Sequence, residues 1–171
     1  MDPIEKPLTE GEPCGPLAPD HIPVYIPEPV LESITKHAGS RVDAMVGGVL
    51  LGEWCIWQGS PYIVIRDHII ADQAQNSEVT LTFTQETWRN ISAEIDRRYG
   101  RDRQLLIAGW YFTSPGKGLD PGRVSLETHA RVFTAPWQLL MVLDAVKGEL
   151  ALFQWKRGEL ASCGFYLVLK K

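Results

Sequence analysis

Long apolar runs are missing from this sequence, and so is a secretory signal. No apolar stretch reaches the ~18 residues that a membrane-spanning helix needs. The N-terminus lacks the basic start and the unbroken apolar run that mark a signal peptide. We therefore expect no membrane span and no export by that route.

Cysteine is scarce as well. The chain has three cysteines, Cys14, Cys55 and Cys163, an odd number without C-x-x-C spacing. This pattern argues against a disulfide framework and against a thiolate zinc site. A reducing, cytoplasmic location fits it best.

Basic clusters are rare in a chain whose formal net charge is -4. The one concentration of arginines surrounds Tyr99 and is broken by acidic residues; it comprises Arg97, Arg98, Arg101 and Arg103 with Asp96 and Asp102. We interpret this run as a solvated helix end rather than a phosphate-binding strip. Nucleic acid is therefore not an expected partner.

What remains is the composition of a globular protein, with 44% hydrophobic and 22% charged residues in a chain of 171. Residues 1–23 contain many prolines and little that could be buried, which predicts a flexible leader, with or without a partner-binding segment. Residues 24–171 are predicted to form one domain.

Helix and strand patterns alternate through that domain. Helices are predicted from Pro29 to Gly39, from Thr84 to Gly100 and, as a short element, in residues 123–133. Strands are predicted in residues 45–57, 62–70, 79–83, 104–112, 137–146, 149–155 and 163–170, with a tight hairpin at 146–149. This order indicates a mixed α/β sandwich rather than a doubly wound sheet.

The predicted strand that ends in Gly109-Trp110-Tyr111 runs into a loop rich in glycine and proline. The stretch GWYFTSPGKGLDPGRVS, residues 109–125, resembles the signature of the JAB1/MPN/Mov34 (JAMM) family, in which G-W-Y leads into H-[ST]-H-P-G and then S-x-x-D. Residues 46–52 and the closing strands are also similar to bacterial members, so the resemblance spans about residues 24–168. It implies a single-domain MPN/JAMM (cytidine deaminase-like) α/β fold, with a mixed β-sheet sandwiched by helices.

This chain departs from the signature at the positions of the metal ligands, the general base and the oxyanion-stabilising serine. In active members two histidines and an aspartate bind zinc, an upstream glutamate is the general base, and a serine stabilises the oxyanion. The corresponding positions of this chain, with the residue between the two histidines, are Met45, Phe112, Thr113, Ser114, Gly122 and Ser125. Phenylalanine has no lone pair to donate, and neutral hydroxyls are poor substitutes for imidazole and carboxylate. The nearest acids to the glutamate position are Asp43 and Glu53, and neither is in register with it.

Two rebuilt sites remain as alternatives near the same loop. Asp120, Glu127 and His129 offer metal-binding donors, and Ser114, His129 and Asp120 offer the residue types of a hydrolytic triad. A triad also requires mutual hydrogen-bond geometry, which sequence proximity does not supply. Solvated surface side chains are the preferred interpretation of these residues.

The resemblance therefore implies a metal-free (MPN-minus), catalytically degenerate member, a pseudoenzyme without metal or cofactor. Family members of this kind act as structural partners, which implies a scaffold subunit that forms a homo-oligomer or pairs with a related subunit. The alternatives are a module that binds a ubiquitin-like or peptide tail by strand addition, and a metallohydrolase with a rebuilt ligand set. Trp54, Trp57 and Trp155 are candidate interface anchors.

Overall fold

The computed structural model describes residues 2–17, 20–72, 74–76, 81–100 and 104–170. Within these residues the chain forms a single α/β domain with three helices: α1 (Glu28–Ala38), α2 (Gln85–Tyr99) and α3 (Gly122–Val132). The strands are β1 (Ile4–Glu5), β2 (Glu12–Cys14), β3 (Val24–Pro27), β4 (Gly47–Trp57), β5 (Ser60–Ile70), β6 (Gln75–Asn76), β7 (Leu81–Thr82), β8 (Leu106–Thr113), β9 (Leu139–Asp144), β10 (Glu149–Lys156), β11 (Glu159–Cys163) and β12 (Phe165–Val168). None of the described helices is long and apolar enough to cross a membrane.

Ten of these strands form one curled sheet. Its order is β11-β10-β9-β8-β4-β5-β3-β12-β2, and β1 pairs with β4. The central strand β8 runs antiparallel to β4 and parallel to β9. At Gly109 a side chain is excluded, because a Cβ there would lie 2.0 Å from the carbonyl oxygen of Leu139 on β9. Glycine thus allows two neighbouring strands to approach closely in the middle of the sheet.

Alternation along β8 divides the apolar core into two clusters. The first, the α1-side core, joins Ala108 and Tyr111 to Ile34 and Ala38 of the first helix. The second, the α2-side core, joins Trp110 and Phe112 to Ile91 and Ile95 of the second helix. Helices therefore cover opposite faces of the sheet, which places successive residues of β8 in different surroundings.

The helices predicted from sequence are confirmed. The second helix begins with a capping box in which Thr84 and Thr87 bond reciprocally, and Gly100 follows its last turn. Gly39 follows the last turn of the first helix in the same way. These local signals are strong because caps satisfy backbone groups that a helix leaves unpaired.

The strand prediction differs from the structure at β7 and in the C-terminal region, and it omits β3 and β6. Of the predicted strand at 79–83, Leu81 and Thr82 form β7, while residues 79 and 80 lie outside the described part of the chain. The C-terminal region holds four strands rather than three, because Arg157 and Gly158 both have positive φ (52° and 81°) and form a tight turn between β10 and β11.

The N-terminal segment also differs from the leader we expected, in those of its residues that the structure describes. It contains β1, where Ile4 pairs with Cys55, and β2, where Cys14 pairs with Phe165. The Tyr62 hydroxyl donates to the carbonyl of Lys6 at 2.6 Å. The two-residue strand β1 finds a partner because β4 extends beyond its last residue paired with β8 and leaves backbone groups open, whereas β2 pairs with β12.

Candidate functional site

Two segments that are far apart in the sequence meet at the end of β8: the one around Val46 and the last residues of β8 itself. The Thr113 amide donates to the carbonyl of Val46 at 2.8 Å, and the Val46 amide donates to Thr113 Oγ1 at 3.0 Å. Thr113 is fully buried. These bonds fix the residue at the glutamate position, Met45, beside the strand that carries the histidine positions.

Apolar side chains fill the interior of this region. Phe112 is 1% exposed and Met45 is 8% exposed, and both belong to the α2-side core. The Phe112 ring lies 5.3 Å from that of Trp110, centroid to centroid. Burial of such a ring contributes roughly 1.5–3 kcal/mol to stability. Phe112 is therefore a core residue, at the position that the resemblance to the JAMM signature aligns with a zinc ligand.

The buried carboxylate of Asp144 fixes the loop after β8 through hydrogen bonds to its backbone. Asp144 accepts the backbone N–H groups of Gly116 and Gly118, each at 2.8 Å, and those of Val146 and Lys147, each at 3.1 Å. Burial alone would raise the pKa of Asp144, but these four donors outweigh it and hold the pKa below its usual value. The carboxylate thus stays ionised and fixes the loop.

Ser114, at the second histidine position, is committed to the same loop. Its hydroxyl donates to the carbonyl of Gly118, and its amide donates to the carbonyl of Leu143 at 2.8 Å. Ser125 is buried in α3, whereas Gly122 is exposed at the start of that helix, with nothing within 4 Å of where a Cβ would lie. The structure therefore brings Met45, Phe112 and Thr113 together and leaves Gly122 apart.

These residues do not fit a zinc ion. A hydrolytic zinc site needs three nitrogen, sulfur or carboxylate donors, and the signature positions of this chain offer a ring, a thioether and hydroxyls. Among the described residues no group of three His, Cys, Asp or Glu side chains is close enough to hold a metal.

The acidic residues nearest in sequence to the glutamate position form ion pairs with other residues. Asp43 is a surface residue paired with Arg41 at 3.1 Å, and Glu53 lies between Arg66 and Lys6. Neither is part of the apolar cluster around Phe112.

The rebuilt sites do not assemble as hydrogen-bonded units. Asp120 accepts from the Gly122 amide at 3.0 Å, and Ser114 bonds within its own loop. His129 is fully buried, and its Nδ1 accepts from the Trp110 indole at 2.9 Å. The three members of the hypothetical triad therefore each bond to another residue.

His129 has a second feature that sequence reasoning missed. Because an indole N–H can only donate, Nδ1 must accept, and the ring proton of neutral His129 lies on Nε2. Nε2 is buried without a hydrogen-bond partner in the described structure, and so is Nε1 of Trp155. Burial lowers the pKa of His129 to about 4, although the Gln138 backbone acts in the opposite direction. No sequence signal reveals this pair, because it depends on how α3 packs against β10.

A second buried histidine lies on the other face of β8 and is fully bonded. The Tyr111 hydroxyl lies 2.9 Å from Nδ1 of His68 and 2.7 Å from Nδ1 of His37, while Nε2 of His68 lies 2.8 Å from the Ser33 hydroxyl. Since Tyr111 has one proton, it donates to one histidine and accepts from the other. Burial lowers the pKa of His68 to about 4, with Asp67 opposing the shift and His37 and Arg98 reinforcing it.

The candidate interface tryptophans are half-buried. Trp54 packs against Trp137, with ring centroids 5.8 Å apart, and Trp57 packs against a small cluster that includes Tyr62. Trp155 lies 5.3 Å from the ring of His129. Each ring thus has an internal partner and a remaining exposed part.

Comparisons with known proteins give a fold and no family. No family model matches the sequence, and no curated protein matches it. The solution structure of protein DSY2949 from Desulfitobacterium hafniense is similar, with a TM-score of 0.57 at 13% identity. The match covers 86% of this chain and 93% of the other. At this identity the likeness extends to the fold alone.

Proposed function

We propose that this protein is a non-catalytic, MPN-like interaction subunit of a larger cytoplasmic assembly, and that it has lost the zinc isopeptidase site. The observation that carries this proposal is the burial of Phe112 at a zinc-ligand position, in contact with the same apolar cluster as Met45. A water-activating metal needs open, polar surroundings with a free coordination position. Closed apolar packing at that place supports a structural role.

Both alternatives have weaker support. A tail-binding module would use the loop after β8, but the Gly116 and Gly118 amides there already donate to Asp144. Strand addition needs unpaired backbone donors. A rebuilt metallohydrolase would use His129, which is buried and bonded to Trp110.

The native mass of the protein isolated from its source cells tests the proposal. We expect a stable species well above the 19.2 kDa of one chain, either a homo-oligomer or a complex with a related subunit. A monomer under gentle isolation at cellular concentration would contradict it. The same preparation should show no hydrolysis of isopeptide-linked substrates with or without added zinc.

A further inference from the structure

A groove runs between α3 and the hairpin of β10 and β11. It has a volume of about 460 Å³. Its walls are mainly apolar, and its described lining includes no lysine or arginine; the residues are Leu126, Glu127, Ala130, Trp155, Gly158, Glu159 and Leu160. Leu126 is 40% exposed. The groove therefore favours a neutral or basic occupant with apolar side chains.

Two hydrogen-bond donors without acceptors lie beneath this groove. Trp155 lines it, and the rings of Trp155 and His129 are 5.3 Å apart, tilted by 57°. Nε1 of Trp155 and Nε2 of His129 both carry protons, and both are buried without a partner among the described residues. A buried donor left unpaired costs about 1–3 kcal/mol, so such groups usually have an acceptor in the working state of a protein. We therefore look for an acceptor oxygen that a bound partner could offer to these two donors.

The groove also adjoins an open edge of the sheet. Glu159 and Leu160 belong to β11, which is the last strand at this end, and no described strand pairs with its outer side. Edge strands of this kind take up an extended peptide through backbone hydrogen bonds, while pockets beside the edge select alternate side chains.

We propose that this groove and the β11 edge bind an extended peptide segment of a partner protein. The segment carries an apolar side chain that enters between Leu126 and Leu160, and a basic residue that faces Glu159. One of its carbonyl oxygens accepts from Trp155, whose ring turns toward the groove when the peptide binds. This inference rests on the proposed function, since it names the surface on which the partner docks.

Titration of the isotope-labelled full chain with a defined peptide tests the proposal. The probe is a capped Lys-Val repeat, and the matched control is a Glu-Val repeat of equal length. The six tryptophans give six indole N–H signals, and Trp155→Phe identifies the signal of Trp155 by removing it. We expect the Lys-Val peptide to move this signal and the Glu-Val peptide to leave it unchanged. An unmoved Trp155 signal, or equal binding of both peptides, would overturn the proposal.

The chain offers a matched pair of variants. Leu126 and Val132 lie on α3, and each is 40% exposed, but only Leu126 lines the groove. Leu126→Lys should weaken peptide binding about tenfold or more, because it removes an apolar contact and repels the basic probe. Val132→Lys should leave the affinity within about twofold, as surface changes away from an interface do. Equal effects of the two variants would overturn the assignment of the groove.

The same variants separate this inference from the proposed function. If the native complex survives Leu126→Lys as it survives Val132→Lys, the partner docks elsewhere and only the groove is wrong. If the unaltered chain forms no complex at all, the proposed function fails, and the inference that depends on it fails too.

Discussion

His68 and His129 occupy comparable places on the two faces of β8, yet their surroundings differ in one respect. Each is buried, each is bonded to an aromatic residue of that strand, and burial lowers the pKa of each to about 4. His68 has a partner for both ring nitrogens, whereas among the described residues His129 has a partner for Nδ1 alone.

The difference indicates what each face of the sheet does. On the α1 side a closed chain of hydrogen bonds runs from Ser33 through His68 and Tyr111 to His37, which is how a buried polar network stabilises a fold. On the α2 side the donors of His129 and Trp155 are buried without a partner among the described residues, and Trp155 lines a groove at the sheet edge. We therefore assign the first network to stability and the second to binding.

Acid should weaken the protein through both histidines, and this is the largest effect we expect. Between pH 6.5, the ordinary histidine value, and about 4, the unfolded chain binds protons that the folded chain excludes. The free energy of unfolding should therefore fall with decreasing pH, by up to about 3 kcal/mol per histidine. Urea unfolding at several pH values down to about 4.5 measures this loss before most carboxylates titrate.

His37 adds to that loss, since burial lowers its pKa also. The comparison is sharpened by repeating the pH series on His129→Leu, which should remove one histidine's share of the slope. A free energy that is constant across this pH range would show that neither ring is buried as described.

Tyr111→Phe should produce the next largest loss. It removes one hydroxyl but leaves Nδ1 of both His37 and His68 without a partner. We expect the free energy of unfolding to drop by about 2–3 kcal/mol, since each buried polar group left unpaired costs about 1–3. Tyr25→Phe is the control: Tyr25 is 7% exposed, and its ring contacts Tyr62 and Tyr166, away from the histidine network. Similar losses of unfolding free energy in the two variants would show that the hydrogen-bond network does not stabilise the fold.

Replacing each histidine by leucine compares the two faces directly. His68→Leu leaves the hydroxyls of Tyr111 and Ser33 each short of a partner, whereas His129→Leu leaves only the Trp110 indole unpaired and removes an unsatisfied donor. We expect the first change to destabilise the protein by about 1–2 kcal/mol more than the second. Equal or reversed losses in chemical denaturation would mean that Nε2 of His129 has an acceptor.

Ser33→Ala should have the smallest effect. The substitution removes the partner of Nε2 of His68, so that one ring nitrogen lacks a protein partner, as in His129. Ser33 lies on the exposed side of α1, however, where water can replace the hydroxyl. We expect a loss of about 0.5–1 kcal/mol, measured as the change in the urea midpoint at constant slope. A loss as large as that of Tyr111→Phe would place Ser33 in the interior.

Local sequence patterns predicted most of the helices and strands, but not the hydrogen bonds of the buried histidines. The capping box at Thr84 and the apolar run of β8 are visible in sequence because caps and burial act over a few residues. The two-residue strand β1 has no periodicity to detect, and its pairing depends on an open edge of β4. That Phe112 cannot be a metal ligand was expected from its chemistry, but its packing in the core and the unpaired nitrogen of His129 depend on tertiary contacts that have no sequence signature.

The central claim is that apolar and hydroxyl side chains occupy the positions that correspond to the zinc site of the JAMM signature, and zinc content tests it most directly. The wild-type chain and a variant with Met45→Glu, Phe112→His, Ser114→His and Ser125→Asp are purified with zinc present and dialysed. We predict that the variant retains stoichiometric zinc and that the wild-type chain retains none, with circular dichroism confirming that both are folded. Tightly held zinc in the wild-type chain, or a folded variant that binds none, would contradict the account.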